Sequence, residues 1–141
     1  MSKTYVSANL RKLVYERAQS CCEYCLIPEA LTLAVHQIDH VIAEKHGGKT
    51  VAQNLALACS LCNMAKGSNI ASIDPETGET ERLYNPRQDR WSEHFRLDDD
   101  NGSIEPLTAI GRTTLSLLKT NRTERLVERC CLMQTGQLRI P

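Results

Sequence analysis

Two cysteine pairs of the same spacing, Cys22/Cys25 and Cys59/Cys62, constrain this chain more than any other feature. A C-x2-C knuckle presents two sulfurs to one ion, and two knuckles can place four thiolates tetrahedrally around Zn²⁺. A structural zinc on Cys22, Cys25, Cys59 and Cys62 is therefore expected. Cys21 is an alternative to Cys22, although it would make the less common C-x3-C spacing. A compact zinc ribbon has roughly 15–20 residues between its knuckles. Here 33 residues separate Cys25 from Cys59. The metal would thus staple the two ends of another small structure, with the functional part inside the staple.

Composition narrows the partners. Over 141 residues, 17 basic side chains balance 17 acidic ones, which excludes a charge-driven DNA coater and leaves only a local patch for nucleic acid. Aromatic residues are 4%, too few for a single-strand binder built on stacked bases. No apolar run approaches the roughly 18 residues of a membrane span. The start, Met1 to Tyr5, lacks a signal peptide's apolar stretch. The expected compartment is the reducing cytoplasm, where seven cysteines imply metal ligation rather than disulfides.

The local pattern reads as α+β. Ser7 caps a helix running to about Gln19. Ala30 to Val35 reads as a strand, with His36 to Ile42 continuing it or pairing with it. Gly47-Gly48 makes a turn, Asn54 to Cys59 is a short apolar segment, and a helix starts near Leu61 with Ser60 as its cap. Residues 1–70 form the stapled core with its N-terminal helix. Residues 71–141 form a hairpin and helical extension packed on that core. In the extension, turns fall at Asp74 to Gly78 and Asp98 to Gly102. A short helix spans Arg87 to Phe95, with Trp91 and Phe95 packing on the core. Longer helices span Leu107 to Leu118 and Thr123 to Met133, the last holding Cys130 and Cys131 as core or partly exposed thiols.

The chemistry lies inside the staple: Asp39-His40, Gly47-Gly48, Asn54-Leu55, then Cys62-Asn63-Met64-Ala65-Lys66. A neutral imidazole is the side chain best poised to take a proton near pH 7. A hard divalent cation wants oxygen ligands, and Asp39 and Asn63 offer a carboxylate and an amide oxygen. Lys66 stands three residues after Asn63, so on a helix both face one side, and its ammonium suits a phosphate as a point charge.

The order and spacing of these features over residues 20–70 resemble the HNH endonucleases, which have the ββα-metal fold. The resemblance implies a hairpin bearing the Asp-His pair, a short helix bearing the last Asn, and one divalent cation between them. On it, His40 matches the general base and Asp39 and Asn63 the metal ligands. Asn54 matches the residue that holds the loop and orients the base. An Asn rather than a His at position 63 makes oxygen-only ligation, and so Mg²⁺ or Mn²⁺, the expectation. The implied activity is hydrolysis of DNA to 3′-hydroxyl and 5′-phosphate ends. A catalytically silent zinc module that binds nucleic acid or protein, and an RNA-directed nuclease, remain open alternatives. His36 falls on the strand face of His40 and is a candidate substrate contact beside Lys66. His46 reads as a loop residue and His94 as structural. The extension holds nine arginines, suited either to phosphates or to pairing with its twelve acidic residues. Its Asn85-Pro86-Arg87 and Arg90-Trp91 resemble, more loosely, tails beside HNH cores in stand-alone bacterial proteins. A homodimer, or a partner protein supplying specificity, is compatible with the absence of a DNA-reading domain.

Overall fold

The computed structural model describes residues 5–141, so Met1 to Thr4, on which the signal-peptide reading partly rests, lie outside it. Helix α1 (Ala8–Ala18) starts where expected, with the Ser7 side chain accepting from the amide of Leu10. Strands β1 (Gln37–His40) and β2 (Leu55–Ala58) pair antiparallel, with His40 opposite Leu55 and Asp39 opposite Ala56. Period-2 alternation divides this hairpin into two faces. Leu55, Leu57 and Ile38 pack with Val14 and Ala18 of α1. The other face carries Gln37 and Asp39 beside Ala56 and Ala58, and α2 (Ser60–Lys66) packs against it. Alanines there leave room for the helix to approach.

The expected strand over Ala30 to Val35 does not form. Glu29–Leu31 is a single 3-10 turn, and Leu33 and Val35 are exposed. Apolar alternation favours a strand only when a neighbour supplies the ladder. Here Thr32 Oγ1 instead bonds the carbonyls of Glu29 and Ala34, and the Glu29 carboxylate takes the amide of His36. The cap of α2 also differs: it is Cys59, whose Sγ accepts from the amide of Cys62, not Ser60.

In the extension, β3 (Ala71–Ile73) and β4 (Thr80–Arg82) form one hairpin, and β5 (Phe95–Leu97) and β6 (Ile104–Pro106) another. The expected helix at Arg87 to Phe95 shrinks to one turn, α3 (Trp91–His94), because Phe95 already begins β5. Helices α4 (Ala109–Leu118) and α5 (Thr123–Gln134) follow. Trp91 donates from Nε1 to the carbonyl of Tyr24 and packs against Phe95 in a tilted arrangement with ring centroids 5.2 Å apart. One apolar cluster joins Cys22, Cys25, Cys59 and Cys62 to Tyr84, Trp91, Phe95, Ile104 and Leu118, so the extension packs directly around the knuckles. Among the described residues no helix is long and apolar enough to cross a membrane.

Candidate metal centre and candidate active site

The four knuckle sulfurs are all buried and lie within 4.8 Å of one another. Sulfurs about 2.3 Å from a common tetrahedral ion would sit about 3.8 Å apart, and Cys25 and Cys59 are 3.6 Å apart. The set fits a metal such as zinc. Hydrogen bonds from Cys22, Cys25 and Cys62 lower the pKa of the Cys59 thiol, whose sulfur caps α2. Backbone amides of Cys25 and Cys62 approach the sulfurs of Cys22 and Cys59 at 3.4 Å. Cys21, the alternative ligand, stands outside the cluster, with its Sγ against the carbonyl of Gln19.

The second group of polar side chains lies at the far end of the β1–β2 hairpin. Asn54 closes the intervening loop from both sides. Its Oδ1 accepts from the amide of Ile42, while its Nδ2 donates to the carbonyls of Ile42 and Lys49 at 2.9 Å. Gly48 must be a glycine there, since a Cβ would stand 1.7 Å from the carbonyl oxygen of Ile42. His40, the last residue of β1, places Nε2 2.8 Å from Thr50 Oγ1 and 3.4 Å from a carboxylate oxygen of Glu44, both on this loop.

Asp39 points to the opposite face, toward α2. Its Oδ2 accepts from Tyr24 at 2.9 Å and lies 3.1 Å from the Lys66 ammonium. Burial pushes the Asp39 pKa up, against the downward pull of Lys66. Lys66 is only 2% exposed, and also donates to the carbonyls of His40 and Val41. It therefore does not stand at the surface as a phosphate contact. Its three donors are taken up inside the hairpin–helix contact. Asn63, one helical turn earlier, donates to Gln37 Oε1, which leaves its amide oxygen out of that bond. His36 turns inward, with Nε2 2.8 Å from the carbonyl of Ile27 and only 2% exposed, so it is not presented to a substrate either.

The oxygen donors Asp39 and Asn63 thus share the β1–α2 contact, and His40, itself 7% exposed, ends the strand beside it. Their chemistry suits a hard cation, with Lys66 occupying the Asp39 carboxylate. Tyr24, Gln37 and Thr50 were not singled out from the sequence. Only Tyr24 carried a signal, as the residue between two knuckle cysteines. The extension's arginines pair mainly with acids: Arg82 with Asp89, Arg87 with Glu23, Arg96 with Glu105, and Arg112 with Asp74.

Residues 22–69 of the 141, about a third of the chain, match the family model described as HNH endonuclease. The stapled segment carries the likeness to that family, and the function this likeness suggests is of nuclease type. No curated protein and no solved structure matches the chain.

Proposed function

We propose that this protein is a metal-dependent endonuclease that hydrolyses DNA phosphodiester bonds, with the knuckle cysteines holding a structural zinc. The observation that supports this most is the mounting of His40. Its Nε2 is hydrogen-bonded to Thr50, and the loop that presents it is clamped by Asn54. A base that must take a proton from water needs this kind of fixed orientation. Because Asp39 and His40 leave β1 on opposite faces, the phosphate would lie across the strand's end, where the two faces meet. His40 accepts the water's proton as the water attacks phosphorus, and Thr50 holds the ring against rotation. Asp39 and Asn63 would hold the divalent cation, Mg²⁺ or Mn²⁺, which supplies charge stabilisation for the leaving 3′ oxygen. Tyr24 fixes the Asp39 carboxylate from behind.

One observation favours the silent-module reading: Lys66 neutralises Asp39, and Asn63 is bonded to Gln37, so this contact is satisfied without any ligand. A single assay separates the readings. Supercoiled plasmid, linear DNA and RNA are incubated with Mg²⁺, with and without EDTA, using wild type and His40→Ala, with zinc content measured in the same samples. Cleavage of DNA that needs Mg²⁺ and His40 is expected. RNA cleavage alone would move the substrate class. No cleavage by a zinc-loaded wild type would favour the silent module, and cleavage that survives both EDTA and His40→Ala would overturn the mechanism.

A further inference from the structure

Among the described residues Arg129 on α5 is the largest fully buried side chain, with 0% exposure, and none of its hydrogen-bond partners is an acid. Its guanidinium donates to the carbonyls of Gly102 at 2.6 Å, Thr120 at 2.8 Å and Cys25 at 3.3 Å, and to Asn121 Oδ1 at 2.8 Å. Those groups satisfy its hydrogen bonds but not its charge. A buried ion without a counter-charge costs several kcal/mol, on the order of the whole stability of a small domain. The contact of Arg129 with the Cys25 carbonyl places it beside the knuckles. Arg125, one turn earlier and 7% exposed, is ion-paired with Glu128 at 2.7 Å while the knuckle sulfurs also act on its charge.

We infer that Arg129 and Arg125 are the built-in counter-ions of a tetrathiolate metal centre, so that the C-terminal helix completes the site formed by the two knuckles. Four thiolates around a divalent ion leave two negative charges. Arg129 supplies a positive charge with no acid bonded to it, and Arg125 supplies a second that it shares with Glu128, which makes Arg129 the stronger of the two. The hairpin turn is shaped for the same purpose. Gly102 has φ +74°, and a Cβ there would meet α5 backbone at 2.8 Å, so only glycine brings its carbonyl down onto Arg129.

This inference rests on the zinc reading, and the test separates the two. Purified full-length wild type, Arg129→Met, Arg129→Lys and Arg125→Gln are compared by zinc content and by the chelator concentration that removes half the metal. Circular dichroism is recorded in parallel. Arg129→Met is expected to weaken zinc retention roughly 10- to 100-fold, Arg125→Gln less, and Arg129→Lys is expected to recover part of the loss by restoring charge. A wild type without zinc would refute the metal reading itself. A zinc-loaded wild type whose Arg129→Met retains zinc unchanged would overturn the inference. If Arg129→Met does not fold, Arg125→Gln decides: unchanged retention there overturns it, and weakened retention supports it.

Discussion

The two ends of the β1–β2 hairpin are built on opposite principles. At the Cys59 end the four sulfurs and all of β2 are buried, and order comes from sulfur, apolar packing and an arginine drawn from the far end of the chain. At the His40 end, order comes from local hydrogen bonds: Asn54 to its own loop and Thr50 to the imidazole. The first end resists movement because any shift exposes charge or apolar surface. The second sets an imidazole that is 7% exposed beneath a largely exposed loop. Lys66 and Asp39 stand between the two, as a polar pair inside the hairpin–helix contact.

The largest effect should come from the metal end. Chelation, or Cys62→Ser, is expected to abolish the native circular dichroism spectrum, since a structural zinc is worth roughly 10–16 kcal/mol to a small fold. A well-folded Cys62→Ser would erase the contrast. At the other end, His40→Ala should lower cleavage by roughly 10²–10⁴-fold while the thermal transition stays within a few degrees of wild type; a collapse of the fold would show that His40 belongs to the rigid side. Lys66→Met leaves Asp39 buried without its cation and should cost about 3–5 kcal/mol in urea unfolding. A near-neutral result would mean that the carboxylate finds another partner. The smallest effect concerns pH. Hydrogen bonds from Arg112 hold Asp74 well below its ordinary pKa of 3.8, and those from Arg82 lower the pKa of Asp89. A depressed carboxylate contributes stability that is present above its unfolded pKa and is lost as pH falls through the folded value. Thermal melts should therefore be flat above about pH 5 on this account and decline below it. Asp74→Asn should flatten part of the decline, whereas an unchanged slope would remove Asp74 from this account.

Legibility from sequence followed distance along the chain. The knuckles, the Ser7 cap, the helices at the end and the Asp98–Gly102 turn are local signals, and each was readable. The spacing of Asn63 and Lys66 correctly predicted a shared helical side, but spacing does not say whether that side meets solvent or a strand. Lys66 meets a strand. Arg129 was unreadable as a partner of the metal centre because 104 residues separate it from Cys25. The strand expected at Ala30 to Val35 failed for a related reason: its alternation was genuine, and no partner strand lay alongside it.

The strand β2 runs from the residue opposite His40 to the edge of the metal centre, and all four of its residues are buried. It therefore behaves as a ruler. At about 3.4 Å per residue, it sets how far the proton-accepting ring stands from the sulfur cage. One residue inserted after Ala56 would keep every ligand and the imidazole. It would also turn Leu57 toward α2 and an alanine toward α1. Such a chain would hold all its chemical parts at the wrong separation, which is a different failure from losing any of them.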